Sequence, residues 1–263
     1  MKRFILLVLC IISTTSLLIS QDVLHLMSLN IDAGRDGTID SIASFINSYN
    51  ADIVALQEVD IYAKRNNEIP ANGNYLASLG AGTGMFSAFG KVSLPTSRTI
   101  FGNAILSKNP FTKTENILLP RLANAEQRGL MVTHLVLNNR SICVASVHLS
   151  FENEDIIETQ IRHMKRYLET LDDDIVIVIG DFNLSKPHQI LALMDGWQDA
   201  LPKHTNTFSS RKEYYQKAKL DYILYKSILP IKVLNASIDC DPSITDHCAC
   251  YVELEFPTIT IPR

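Results

Sequence analysis

Eight polar residues stand at or beside the ends of apolar runs. Asn30 closes DVLHLMSLN, Glu58 closes DIVALQE, and His148 lies near the end of CVASVHL. Asp181 and Asn183 follow IVIVIG, Asp221 opens the run in KLDYILY, and Asp246-His247 precede CYVELEF. Asn30, Glu58, Asp181, Asn183 and Asp246 offer hard oxygen ligands. Such a set suits Mg²⁺, which takes one or two carboxylates and keeps several waters, and Mn²⁺ suits it as well. No CxxC or Cys/His spacing points to zinc. Two His near an Asp cluster fit acid–base work near neutral pH. A hard metal with paired His and Asp fits phosphoester hydrolysis better than acyl transfer. The chain has no Gly-x-Ser-x-Gly elbow, phosphate loop or dinucleotide fingerprint. Each residue alone has a plainer reading: a strand-ending Asn30, a turn at Asp181-Phe182-Asn183, a satisfied core His148. Six strand ends with the same chemistry are harder to dismiss.

Those positions need strands to carry them. The spacing predicts strands over 22–30, 52–58, 101–107, 129–137, 141–149, 174–180, 220–225, 231–238 and 247–255. Helices are predicted over 38–49, with Thr38 as N-cap, and over 153–171, where apolar residues recur at helical spacing. Residues 66–84, rich in Asn and Gly, read as loop with one helical turn. The order mixes β-α-β units with successive strands. It predicts an α/β protein with a mixed sheet and reactive groups gathered at strand ends. No linker or repeat divides the chain, which reads as one domain over 21–263.

Composition bounds the function. The chain has 263 residues, 46% hydrophobic and 20% charged, which excludes a disordered or collagen-like protein. Residues 1–20, basic at the start and apolar after it, read as a signal peptide with cleavage after Ser20. The rival reading is an uncleaved membrane anchor. Cleavage would export the protein to the periplasm or beyond and leave no span of membrane length. It would also remove Lys2 and Arg3, leaving 22 basic residues against 28 acidic, a net charge of −6. Nucleic acid is compatible with the chemistry but is not favoured by that charge. Four Cys would remain in an oxidising compartment, as buried thiols or with Cys240 bonded to Cys248 or Cys250.

The motifs together resemble the endonuclease/exonuclease/phosphatase superfamily. The matching segments are SLN (28–30), IVALQEVD (53–60), FGNAILSK (101–108), EQRGLM (126–131), SVHLS (146–150), IGDFN (179–183), KLDYIL (219–224) and TDHCA (245–249). They run in the family's order through nearly all of residues 21–263. The resemblance implies a four-layer α/β sandwich, two mixed sheets face to face with helices outside, and an active site at one rim.

It also implies roles. Glu58 and Asn30 would hold the metal, with Asp246 touching it or its water. Asp181 and Asn183 would orient the water and the phosphoryl group. His247 would be the general base, and Asp221 would hold the second His or that base in place. His148 would be an acid or phosphate donor, as in the branch with deoxyribonuclease, sphingomyelinase and inositol-phosphatase members. Asn103 and Arg128 would frame the site or meet substrate. One departure concerns the segment after the base. The family often carries Pro two residues beyond that His, and this chain has Ala249.

The expected activity is an exported, Mg²⁺-dependent phosphoester hydrolase, foremost a phosphodiesterase. Nucleic acid, a phospholipid head group and a small phosphoester are the candidate substrates. RKEYYQKAK (211–219) is the one basic-aromatic stretch near a motif, and 84–101 is the best candidate for an exposed apolar hairpin, while its pattern also suits a buried strand pair. The alternative from another class is a non-catalytic binding module on the same sandwich. The sequence does not disclose oligomeric state.

Overall fold

The computed structural model describes residues 21–62, 73–92, 100–201, 206–208 and 218–257. The leader, and 211–217 of the basic-aromatic stretch, lie outside them. The first sheet contains β1 (Gln21–Asn30), β2 (Ile53–Ile61), β3 (Phe86–Val92), β4 (Ile100–Ser107), β11 (Lys232–Asp239) and β12 (Ala249–Pro257). The second contains β5 (Lys113–Leu118), β6 (Gly129–Leu137), β7 (Arg140–His148), β8 (Ile175–Asp181), β9 (Gln198–Asp199) and β10 (Asp221–Ser227). The strand orders are β11-β12-β1-β2-β4-β3 and β5-β6-β7-β8-β10-β9.

Both sheets are mixed, as expected. Each has one central parallel pair, β1–β2 and β7–β8, with antiparallel neighbours. The helix α1 (Ile39–Ser48) links the first pair and α3 (Glu154–Leu168) the second.

Strand alternation explains the layers. Leu24, Leu26, Ile53 and Ala55 face inward and meet Val144, Ile175, Ile177 and Ile179 of the other sheet. The intervening Met27, Leu29, Val54 and Leu56 face outward, against Ile42 and Ile46 of α1 and Leu76 and Leu79 of α2 (Tyr75–Thr83). Val176 and Val178 likewise meet Ile157, Ile161 and Met164 of α3 and Ile190 of α4 (Pro187–Leu193). Central strands are therefore apolar on both faces. Each fully buried Leu or Ile contributes about 1.5–3 kcal/mol, so the three layers of contact hold both sheets in one register. The expected four-layer sandwich is what forms.

Local signals end the helices as the residues dictate. Thr38 caps α1, its side chain accepting from Ser41 N. Asn153 caps α3 by accepting from Ile156 N, with Glu154 and Asp155 in the first turn and Lys165 and Arg166 in the last.

One expectation is corrected. The second half of 66–84 is the nine-residue helix α2, not a loop with one turn. Gly80 and Gly82 disguise it, since glycine weakens a helix by roughly 0.5–1 kcal/mol relative to Ala. Packing supplies the reason for Gly82: a Cβ there would lie 2.9 Å from Ala43 Cβ, so its absence lets α2 approach α1. The strand predicted over 247–255 begins only at Ala249, leaving His247 in the preceding loop. β5, α4 and β9 were not foreseen. β5 is a largely exposed edge strand with no apolar run to mark it.

Candidate active site

Backbone irregularities at the strand ends build the site. Glu58 sits where the β2–β4 register slips between Leu56 and Val59, with φ of 56°. Such a bulge re-aims a side chain, and it brings Glu58 into the pocket. Gly180 has φ of 145°, and a Cβ there would lie 2.0 Å from Val147 O. Only glycine allows β8 to run so close to β7 just before Asp181. Asn183 takes φ of 50°, with its N donating to Asp181 Oδ1 at 2.8 Å and its Nδ2 to Leu149 O at 2.9 Å.

The second sheet delivers one row of three groups. Asp181 is the register partner of His148 on β7 and of Asp221 on β10. His148 Nε2 and His247 Nε2 each lie 3.5 Å from Asp181 Oδ2. His247 Nδ1 lies 2.9 Å from Asp221 Oδ2. The first sheet meets this row through Asn30, whose Nδ2 donates to Asp181 Oδ2 at 3.3 Å. The same nitrogen lies 3.5 Å from Glu58 Oε1 and from His247 Nε2. Asn30 Oδ1 in turn accepts from Asp32 N at 3.0 Å.

Above them opens a pocket of about 320 Å³. Glu58, Arg128, His148, Asp181, Asn183, Asp246 and His247 line it, with Asn30 and Asp221 behind. Nine of the ten residues singled out from the sequence therefore converge. Asn103 is not among the residues that line the pocket. Its Nδ2 donates to Gly129 O at 2.8 Å and to Ser146 O at 3.4 Å, which spends the amide on joining β4 to the second sheet.

Several site residues escaped the sequence reading. Asp32 and Arg35, paired at 3.0 Å, line the pocket, as does Glu126, which binds Arg128 Nη2 at 3.2 Å. Their positions inside NIDAGRDGTID and EQRGLM were a usable signal. Phe151, 66% exposed on the rim over Arg128, and Phe208, edge-on to His247 at 4.8 Å, had none. Nor did Thr207, whose Oγ1 accepts from Leu220 N and Asp221 N, both at 2.9 Å.

The electrostatics are those of crowded carboxylates. Asp32 is pushed up to about 7 by burial and by Asp246 and Glu58 nearby. Burial and Glu58 also raise Asp246. Burial and Asp221 raise Asp181. His247 is raised although burial opposes its charge, because Asp221 and Asp181 flank it. A divalent cation fits this donor set. Glu58 and Asp246 offer carboxylate oxygen, Asn30 would offer its amide oxygen on turning its Nδ2 away from Glu58, and the excess negative charge that shifts these groups is what a cation would neutralise. Arg128 adds the complementary feature. It is 2% exposed, and its Nε and Nη1 have no hydrogen-bond partner among the described residues. Orphaned buried donors of that kind cost about 1–3 kcal/mol each and are satisfied by an incoming anion.

Away from the pocket, His134, Cys143 and Asp173 also lie together. Their neighbourhood is already paired internally, His134 Nδ1 with Asp173 Oδ2 at 2.9 Å and Glu115 with Lys113 at 2.6 Å. Cys240 and Cys248 form a disulfide, one of the two pairings open to Cys240, and Cys143 and Cys250 are buried thiols.

A two-sheet sandwich with this His, Asp and Asn constellation at one rim defines a phosphoric ester hydrolase. The chain belongs to the Endonuclease/Exonuclease/phosphatase family, whose sequence profile matches residues 27–247. No curated protein matches it by sequence. Among solved structures, it is similar to an endonuclease/exonuclease/phosphatase from Beutenbergia cavernae DSM 12333. That pair shares 18% identity over 89% of this chain and 72% of the other, with a TM-score of 0.73. It is similar to D. rerio TDP2 complexed with single strand DNA product, at 20% identity over 88% and 98%, TM-score 0.69. It is also similar to the Bacteroides thetaiotaomicron VPI-5482 mannosyl-6-phosphatase Bt3783, at 14% identity over 88% and 99%, TM-score 0.67. At these identities the likeness is one of fold.

Proposed function

We propose that the protein is an exported, Mg²⁺-dependent hydrolase of small phosphoesters, foremost a phosphodiesterase. The observation that carries the chemistry is the buried His247–Asp221 pair, its second ring nitrogen turned toward Asn30 and Asp181. With Nδ1 donating to Asp221, a neutral ring would have Nε2 to accept a proton from water, and a bound divalent cation would favour that neutral ring by offsetting the carboxylates that raise His247. Asp181 and Asn183 hold that water and the phosphoryl group. His148 stands on the far side of Asp181 and donates to a phosphate oxygen or the leaving group. Arg128 receives the phosphate on its orphaned donors. A divalent cation held by Glu58 and Asn30, with Asp246 beside it, would supply positive charge to the phosphate and the leaving oxygen.

Pocket charge supports a small substrate. Arg35 and Arg128 face Asp32, Glu58, Glu126, Asp181 and Asp246, and the chain beyond residue 20 carries a net charge of −6. A polyanion with many phosphates would need more cations along its path. Two fold relatives mark the alternatives, one named as a mannosyl-6-phosphatase and one bound to a DNA product.

The test is hydrolysis of bis(p-nitrophenyl) phosphate, p-nitrophenyl phosphate and supercoiled plasmid, with Mg²⁺ and with EDTA, alongside His247→Ala. The expected result is Mg²⁺-dependent cleavage of the small diester, lowered by about 10²–10⁴-fold in the variant with KM little changed. Efficient plasmid nicking would overturn the small-substrate reading. Near wild-type turnover in His247→Ala would remove His247 as the base.

A further inference from the structure

We propose that the Cys240–Cys248 disulfide is the positioning element of the general base, so that turnover requires this pair to be oxidised. The inference rests on the reading of His247 as that base.

β11 and β12 pair outward as far as Asp239 and Ala249. Cys240 and Cys248 are the next residues out, and their bond closes the connection 241–247 at its foot. That connection is an arch set on β1. Ile244 N and Thr245 N donate to Asp241 O, at 2.9 and 3.3 Å. Thr245 Oγ1 donates to Asn30 O at 2.7 Å and accepts from His247 N at 3.4 Å. His247 is the last residue of the arch and the covalent neighbour of Cys248.

Cys248 also reaches the partner of the base. Its N donates to Thr207 O at 2.7 Å, while Thr207 Oγ1 accepts from Asp221 N at 2.9 Å. One residue, Thr207, therefore ties the half-cystine beside His247 to the peptide that carries Asp221. The next residue, Ala249, is the first of β12 and pairs with Asp239, so the disulfide adds a covalent tie at the foot of an arch that hydrogen bonds from Thr245, His247 and Cys248 hold elsewhere.

Access is selective. Cys240 is exposed, whereas Cys248, Cys143 and Cys250 are buried. An external dithiol can attack the sulfur of Cys240, release Cys248 as a thiol, and then displace Cys240 by closing its own disulfide. The dithiol gives up two electrons and two protons, and both cysteines become thiols. His247 then depends for its position on the hydrogen bonds to Asp221 and Thr245 and on that of Cys248 to Thr207. Misplacement of a reacting group by about 1 Å is enough to cost about 10²-fold in rate.

The experiment reduces the purified protein with dithiothreitol, counts thiols, and follows both turnover of bis(p-nitrophenyl) phosphate and the NMR signal of the His247 Nδ1 proton. That signal is assigned by its absence in His247→Gln. Two new thiols should appear and kcat should fall about 10- to 100-fold with KM within about twofold. The ring-proton signal should broaden or vanish while the amide signals of β1 and β8 stay in place. Reoxidation should restore both, and Cys240→Ser/Cys248→Ser should match the reduced protein and ignore dithiol. Unchanged kcat and ring signal after two thiols appear would overturn the proposal. So would a general collapse of the amide spectrum, since the bond would then hold the fold rather than the base. If the oxidised protein cleaves no phosphoester, the functional reading fails separately, and the ring-proton signal alone decides the positioning claim. If the double variant does not fold, reversible reduction of the wild type decides it.

Discussion

Asn30 and Asp181 meet at 3.3 Å across the seam between the two sheets, although 151 residues separate them in the chain. The contact joins the end of β1 to the end of β8 and places Glu58, Asp181 and His247 around one Asn30 amide nitrogen. Asn30→Ala should therefore weaken both turnover and metal binding. Loss of kcat should accompany loss of Mg²⁺ affinity, whereas His247→Ala should lower kcat alone. Steady-state kinetics over a Mg²⁺ series separates the two.

Arg128 is a buried cation with unused donors. Arg128→Met should change stability little, because the unsatisfied groups go together with the ion pair to Glu126. A charge-assisted hydrogen bond is worth about 1.5–3 kcal/mol, so kcat/KM should fall about 10- to 150-fold. Urea unfolding and phosphodiester kinetics on the same preparation test both halves. A large loss of stability with normal activity would make Arg128 a structural residue.

Metal binding should appear as stability. A ligand at 100 times its Kd adds about 2.7 kcal/mol to the folded state. Mg²⁺ should raise Tm in the wild type, EDTA should reverse it, and Glu58→Gln should lose most of the increment. Thermal melts over a Mg²⁺ series check this without any substrate.

Gly180→Ala should be among the most damaging single substitutions. Its Cβ would lie 2.0 Å from a backbone oxygen at a φ of 145°. Strain of this kind costs about 1–3 kcal/mol before the clash is counted. Chemical denaturation measures it, and a loss below about 1 kcal/mol would mean that β8 can shift away from β7 at little cost.

Asp52 should give the fold an acid-sensitive component. Burial works to raise its pKa, but hydrogen bonds from His25 and Lys108, and the charge of Lys108, leave it lowered. A carboxyl with a lowered folded pKa stabilises the protein above its unfolded value of ~4, and that contribution is lost as pH falls through the folded pKa. Asp52→Asn should be less stable than the parent at about pH 7, with the gap closing below ~pH 4. A gap independent of pH would place the effect in packing.

Much of the site was legible because strand ends announce themselves. Asn30, Glu58 and Asp181 each sit where an apolar run stops and Asp221 where an antiparallel one begins, and β-sheet geometry brings such ends to one rim. Glu58 shows the limit of that reading. Its place at the end of DIVALQE was plain, but the bulge that turns it into the pocket depends on a slip in pairing with β4, more than 40 residues later in the chain. Asn103 shows another limit. Its strand motif marked it as framing the site or meeting substrate, and only the second sheet shows its Nδ2 tied to Gly129 O at 2.8 Å.

What the sequence determined by itself is therefore chemical type and local order. The ligand set, the two β-α-β units and the caps at Thr38 and Asn153 are short-range properties, written in side-chain kind and spacing. Tertiary structure decided the partnerships. The facing of His247 onto Asp221, the row from His148 through Asp181 to Asp221, the orphaned donors of Arg128 and the choice of Cys248 for Cys240 all follow from how two sheets close on one core. Burial and distance between remote segments set those pairings, and neither is encoded at any single position along the chain.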